Sequence, residues 1–595
     1  MNRQSSTRGT FAAIFPYIKS HRTRLALVFA LVVTVVVIDL IQPLLVKEAI
    51  DRYVTVSEPD SGAVVRMAFA YMGLVLLAFG LTYYQDILLQ RIGLSIVRSI
   101  RIDLFRHIQR LALRYFDQNS AGRIITNVVS DTEALNNFFT QFLATTLRGA
   151  FTLLLIMFFM LRLNVTIALN CFLLVPLVVV LALFFQRKIR SVNTEVRHRL
   201  GVLIGFLAEN LSGMPIVQIF HQEAKQQRRL DERNKALLQS TILENQLFLL
   251  FFNITELLGD LAIAALVWYG GRGVLGGTIS FGVLYAFVGY IRRFFQPINT
   301  LSQQMNTLQS SIVATERITR TLQEVPDIQE LAGAQAPAVA GRIELDRVSL
   351  AYRSGHPVLQ NISLTIKPGE RVGFVGATGA GKSSIMNLVT RFYDVTSGAV
   401  IIDGKDVREW PLDVLRRTIG IVQQDVTLFS GTIVDNIRFF QSGISEERVR
   451  EACRLVGAEP FILRQPKGYE TILSERGSTL SAGERQLLSF ARVLIFNPKI
   501  LILDEATACL DSRTEEVLQQ AIHRVSAGRT LLVIAHRLST VQQMDTICVL
   551  EQGRIVESGT HGDLLRRQGY YWRLHQAGIL EEEPAALRVG SELCS

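Results

Sequence analysis

The sequence predicts an α-helical membrane domain of six transmembrane helices with long cytoplasmic extensions, followed by an α/β phosphate-loop domain. Three observations carry that prediction. Six apolar stretches of spanning length, where about 20 residues are needed, occupy the first half of the chain. The 595 residues are 49% hydrophobic and only 19% charged, with a mean hydropathy of +0.28, a balance that soluble proteins rarely show. Finally, Gly376–Ser383 reads G-x-x-x-x-G-K-S directly after a short β-rich run.

The apolar stretches are Leu25–Val46, Met67–Leu89, Phe142–Leu161, Val165–Phe185, Leu247–Tyr269 and Phe281–Thr300. Modest loops join the first to the second and the fifth to the sixth, and a tight turn at Arg162–Asn164 joins the third to the fourth. The two remaining connections are long, polar and rich in Arg. The positive-inside rule puts both in the cytoplasm, together with both termini. Ile96, Ile100, Leu104, Ile108 and Leu111 recur at helical spacing in the first of them, so the spans continue as helices beyond the bilayer. Turns are expected around Asp117–Gly122 and Asn210–Pro215, where Gly and Pro break the pattern.

The formal net charge is +10. The arginines flank apolar runs and form no basic domain, which argues for cytoplasmic loops and against a nucleic-acid partner. Five scattered cysteines show no metal-ligand or disulfide spacing. The N-terminus has no expected signal-peptide cleavage site, and Phe11–Ile18 has the amphipathic pattern of a segment lying along the membrane surface. The expected organisation is a membrane domain over 1–322, a linker over 323–341, a nucleotide-binding domain over 342–580 and a tail over 581–595. In the third part, β-rich runs such as Arg371–Val375, Ile500–Leu503 and Thr530–Ile534 alternate with helical patterns, which predicts a largely parallel sheet.

The phosphate loop is the strongest chemical signal. Its glycines let backbone N–H groups curl around phosphate oxygens at a helix N-terminus. The candidate nucleotide contacts are Gly376, Thr378, Gly379, Ala380, Gly381, Lys382, Ser383 and Ser384. Lys382 is expected to reach the β- and γ-phosphates, and Ser383 to hold Mg²⁺. A second signal is Lys499-Ile-Leu-Ile-Leu-Asp504-Glu505, an apolar strand that delivers two acids at its end. Asp504 suits a metal role through water, and Glu505 is placed to polarise the attacking water.

Leu480-Ser-Ala-Gly-Glu-Arg-Gln486 resembles the LSGGQ signature of the ATP-binding cassette (ABC) ATPases, and the likeness extends along the chain. Tyr352 matches the aromatic that stacks on adenine, Gln424 the Q-loop residue that senses Mg²⁺, Asp511 the D-loop and His536 the switch histidine. Ser481 and Gly483 match the signature contacts to the γ-phosphate, and Glu475-Arg-Gly477 the exporters' short motif before it. Phe116–Arg123 and Glu209–Gly213 resemble the two coupling segments of type IV exporters. The resemblance implies an α/β P-loop ABC ATPase domain, ATP and Mg²⁺ as cofactors, and multi-pass insertion in the cytoplasmic membrane. It also implies export or outward flipping of a small amphipathic substrate such as a drug or lipid. An importer of the same architecture, or a channel or regulator on this scaffold, is the alternative.

The signature departs from the family pattern at Ala482 and Glu484. A Cβ at 482 obstructs close approach to phosphate, and Glu484 adds a negative charge. With Glu505 and His536 intact, this favours one subunit of a heterodimer with a second half-transporter, the homodimer being the alternative. Within the spans lie Asp39, Glu256, Asp260, Arg292 and Arg293. They either form a cavity for cationic amphiphiles or pair internally, Glu256 or Asp260 with Arg292 or Arg293, leaving Asp39 over.

Overall fold

The computed structural model describes residues 15–55, 60–331, 333–352, 355–474, 477, 479–504, 512–534 and 538–576. The chain divides into two compact units. The first comprises 1–110 and 119–324, and the second 111–118 and 325–595.

The first unit is built on six long helices: α1 (Arg22–Ala49), α2 (Ser61–Ile108), α3 (Leu143–Leu163), α4 (Leu174–Ser212), α5 (Glu223–Leu275) and α6 (Phe281–Gln323). Among the described residues, five helical stretches are long and apolar enough to cross a membrane: Arg22–Val54, Ser61–Ile108, Ala121–Leu163, Val165–Ser212 and Glu223–Leu275. The sixth expected span, Phe281–Thr300, is helical in α6 but is not among those five. Arg292, Arg293 and Gln296 interrupt its apolar run.

The long α2, α4 and α5 match the expected extensions. α2 is buried chiefly in its second half, through Leu89, Ile92, Ile96, Ile100, Leu104 and Ile108. This is the stripe at helical spacing seen in the sequence. Its first half leaves Phe69, Met72, Leu76 and Phe79 exposed, the mark of a helix that faces lipid or another protein surface. α4 stops at Ser212, and a short helix, Met214–Ile219, with Pro near its start, makes the second turn. Asp51 ties the start of α6 to the end of α1. Its carboxylate accepts from Ser280 Oγ at 2.6 Å and from the Gly282 N–H at 2.8 Å.

Among its described residues, the second unit holds twelve strands. They are β1 (Ile343–Leu350), β2 (Leu359–Ile366), β3 (Arg371–Val375), β4 (Ser397–Ile402), β5 (Lys405–Asp406), β6 (Ile419–Val422), β7 (Gly431–Thr432), β8 (Ile472–Leu473), β9 (Ile500–Asp504), β10 (Thr530–Ile534), β11 (Thr546–Glu551) and β12 (Arg554–Gly559). The six-stranded sheet runs β12-β11-β3-β10-β9-β6 and is parallel except at its β12 edge. Strands β9 and β10 are buried on both faces, which is why they read as unbroken apolar runs. A separate sheet, β2-β1-β4-β5, is antiparallel. The sequence reading did not separate this second sheet from the parallel one. Two apolar clusters fill the unit, one around Phe374, Trp410 and Ile502, the other around Phe490, Leu501 and Tyr571.

Candidate functional site: a phosphate loop at the sheet's carboxyl edge

The registers of the parallel sheet decide which residues meet. Val422 on β6 pairs with Leu503 on β9, Asp504 with Ile534 on β10, and Ile534 with Phe374 on β3. The carboxyl ends of four strands are therefore level. Gln424, Asp504 and the loop after Val375 emerge together, where open α/β sheets bind ligands. Glu505, Asp511 and His536 lie outside the described residues.

β3 ends at Val375, and the loop curls into the helix α7 (Lys382–Val389). Gly376 has φ 154°, and a Cβ there would lie 2.3 Å from the Leu550 carbonyl oxygen. No other residue fits without moving β11. Among the described residues, the N–H groups of Thr378, Gly379 and Gly381 donate to no protein acceptor, so they are free to meet phosphate oxygens. Lys382 is buried and donates from Nζ to the carbonyls of Gly376 and Ala377, at 2.7 and 3.2 Å. Its ammonium thus spans the mouth of the loop. Ser383 is exposed beside it, while Ser384 is buried. Ala380 closes the loop from below, accepting from the Gly553 N–H. A cradle of unpaired amides, one ammonium, an exposed hydroxyl and the nearby Asp504 carboxylate suits a nucleotide polyphosphate with a hard divalent cation.

Tyr352 joins this site from the strand side. Its hydroxyl donates to Ser384 Oγ at 3.0 Å and accepts from Asn387 Nδ2 at 3.3 Å. Its ring meets Tyr393 edge to face, with centroids 4.7 Å apart. Tyr393 in turn donates to the Asp117 carboxylate. Asp117 belongs to the helix Leu113–Gln118, within the expected first coupling segment, and that helix clusters with the second unit. Burial and the Asp117 carboxylate both push the Tyr393 hydroxyl above its ordinary pKa. Sequence reasoning missed Tyr393 and Asn387. Nothing local in the sequence signals a ring-to-ring contact between residues 41 positions apart.

The signature lies on a different element. Ser481 caps the helix α8 (Ala482–Leu494) in a capping box, and Gly483 is buried behind it. Among the described residues, Ser481 makes its hydrogen bonds inside this cap and none to the phosphate loop. Glu484 is committed to the same cap, so its charge sits on the positive end of a helix.

In the first unit, α1, α2, α3 and α6 enclose a cavity of about 780 Å³, lined by Asp39, Asp86, Arg148 and Arg293 among others. Arg293 donates to the Asp39 carbonyl and, at 3.1 Å, to Gln42 Oε1. The expected pairing with Glu256 or Asp260 is not formed among the described residues. Both acids are exposed on α5, and Arg292 is exposed on α6, because these residues fall on outward faces of their helices. Asp39 remains inside, facing the cavity.

Membrane helices joined to a phosphate-loop sheet of this topology define a nucleotide-driven membrane transporter. The comparisons agree. A family profile described as the ABC transporter transmembrane region matches residues 25–298, and one described as ABC transporter matches 359–508. The chain is 39% identical over 530 residues to "Probable multidrug resistance ABC transporter ATP-binding/permease protein YheH" of Bacillus subtilis (strain 168), covering 87% of this chain and 77% of that protein. It is 38% identical to the ATP-dependent lipid A-core flippase of Syntrophus aciditrophicus (strain SB), covering 86% of this chain and 85% of the relative. A solved bacterial Atm1-family ABC exporter with ATP bound matches with a TM-score of 0.79 at 27% identity, over 94% of this chain and 99% of that one. The chain belongs to the ABC transporter family. It is an exporter-type, multi-pass membrane protein whose ATPase domain is cytoplasmic.

Proposed function

We propose that this chain is one half-transporter that exports or flips amphipathic molecules, drugs or lipids, with ATP hydrolysed between its ATPase domain and that of a second half-transporter. The boundaries of this reading are a membrane domain over 1–322, a linker over 323–341, an ATPase domain over 342–580 and a tail over 581–595. The observation that carries it is the meeting of the phosphate loop, Gln424 and Asp504 at one sheet edge.

Tyr352 stacks on the adenine, and Lys382 leaves the Gly376 carbonyl for the β- and γ-phosphate oxygens. Loop amides hold the remaining oxygens. Ser383, Gln424 and Asp504, the last through water, would hold Mg²⁺, which supplies charge neutralisation on the phosphates when bound. Glu505 takes a proton from the attacking water. The water oxygen bonds to the γ-phosphorus as the bond to the ADP oxygen breaks, and His536 stabilises the charge on the departing phosphoryl group. Ser481, Gly483 and Asp511 act on the nucleotide bound to the other half-transporter.

A heterodimer is favoured over a homodimer. Ala482 narrows this chain's signature, while Glu505 and His536 are intact. Affinity purification of the full chain from its native membrane tests this. A co-purifying half-transporter with a defective glutamate position is the expected result, and a fully active dimer of this chain alone would exclude it.

A further inference from the structure

The cavity between α1, α2, α3 and α6 carries opposite charges at one depth. Counted at 1.5 Å per residue from Ile50, Leu163 and Phe281, the groups Asp39, Arg148 and Arg293 lie roughly 16 to 22 Å along their helices from those ends. Ionised groups at such depth are costly unless satisfied. Two of the four cavity charges are engaged by the protein. Arg293 is tied to the α1 backbone and Gln42. Asp86 is exposed and accepts from Gln85 Nε2 at 3.4 Å.

The other two are left incomplete. Among the described residues, Arg148 makes one hydrogen bond, from Nη2 to Thr82 Oγ1 at 3.3 Å, and its buried Nε has no acceptor. The Asp39 carboxylate makes no side-chain hydrogen bond or ion pair among the described residues, although Arg293 and Arg148 both act on it electrostatically. Beside them, Gln85 is only 2% exposed, and among the described residues its Oε1, like that of Gln304, has no donor. Buried groups left in this state favour a ligand that completes them. The wall supplies Val36, Leu40 and Leu89 for an apolar chain.

A lone cation would meet the field of Arg148, and a lone anion that of Asp39. The four cavity charges sum to zero. From this we infer that the transported amphiphile has a zwitterionic head group: an ammonium held by Asp39 and Gln85, and a phosphate or carboxylate held by Arg148. This rests on the export reading and replaces the cationic substrate that the acids in the sequence suggested.

Three amphiphiles with one chain length test it: dodecylphosphocholine, dodecyl phosphate and dodecyltrimethylammonium. Each is titrated against the full-length transporter in lipid nanodiscs, together with any half-transporter that co-purifies. Binding is followed without nucleotide, and stimulation of ATP hydrolysis with it. The zwitterion should act at the lowest concentration. Asp39→Asn should raise that concentration about tenfold and move the preference towards dodecyl phosphate. Arg148→Gln should move it towards the ammonium, while Arg148→Lys keeps the original order. Arg292→Gln, at an exposed site outside the cavity, should leave all three curves unchanged.

The inference is overturned if a singly charged amphiphile binds best, if both cavity substitutions shift the three curves alike, or if none of the three binds. Absence of ATP hydrolysis in the unsubstituted transporter would overturn the export reading instead, and the nucleotide-free binding order would still judge the head group.

Discussion

The Glu484 carboxylate accepts a hydrogen bond from the Ser481 N–H at 2.9 Å, while Ser481 Oγ accepts one from the Glu484 N–H at 3.2 Å. This reciprocal pair changes the meaning of the unusual signature. A carboxylate that the sequence placed against polyphosphate is held on the end of α8, where the helix dipole offsets it. Glu484→Ala should cost about 1 kcal/mol of ATPase-domain stability. Glu484→Gln keeps both bonds, and ATP turnover should stay within about threefold of the parent. Thermal unfolding and steady-state hydrolysis check the two statements, and a large rate gain in Glu484→Gln would contradict the second.

Glu505→Gln should bind ATP normally and hydrolyse it at least about 100-fold more slowly, as expected for loss of a general base. Lys382→Ala should instead weaken ATP binding, because it removes the ammonium at the mouth of the loop. Nucleotide-binding titrations beside turnover assays separate the two. Undiminished hydrolysis in Glu505→Gln would refute the assignment.

Tyr393→Phe deletes the hydroxyl that reaches Asp117 and keeps the ring against Tyr352. Transport per ATP hydrolysed should fall several-fold, up to about tenfold for a bond to a charged acceptor. ATP affinity should hold. The check is paired measurement of both rates in proteoliposomes. An equal fall in hydrolysis and transport would mean that the bond serves the nucleotide site alone.

Asp51→Ala removes the acceptor for Ser280 Oγ and the Gly282 N–H, and should destabilise the junction of α1 and α6 by about 1–2 kcal/mol. Gly282→Ala should be worse, since its Cβ would fall 2.5 Å from the Lys47 carbonyl oxygen. Thermal inactivation in detergent reads both, and a neutral Gly282→Ala would contradict this close approach.

The ATPase domain should lose stability on acidification in two stages. Burial, and then His575, hold His561 below its ordinary pKa, and its Nδ1 lies 2.7 Å from the Tyr571 hydroxyl. A depressed folded value favours the neutral ring. Its contribution is complete above about 6.5 and is lost as pH falls through the folded value. The hydrogen bond from Arg371 likewise holds the Asp545 carboxyl low, so its contribution is lost only below about 3.9. Chemical unfolding across pH checks this, and His561→Gln should flatten the first stage alone.

The strongest signals of the candidate ATP site are legible in the sequence because they are local. The phosphate loop and the acid ending β9 each occupy one short run of residues, and their backbone geometry follows from Gly and strand patterns in those runs, whereas the cap before α8 became visible only in the structure. The spans were legible for a similar reason, because about 20 apolar residues are long enough to cross a bilayer. The sixth was the hardest, since Arg292 and Arg293 dilute it.

By itself, then, the sequence determined the two-part architecture, the membrane helices, the phosphate loop and the chemistry expected of it. Tertiary structure alone decided which helix faces meet. It gave Arg293 to the Asp39 carbonyl and Gln42 while turning Glu256 and Asp260 outward, and it tied Tyr352 to Ser384 and Tyr393 to Asp117. Those partners lie tens to hundreds of positions apart. Periodicity states that a side chain belongs to a face, but only the packing of whole elements sets what that face touches.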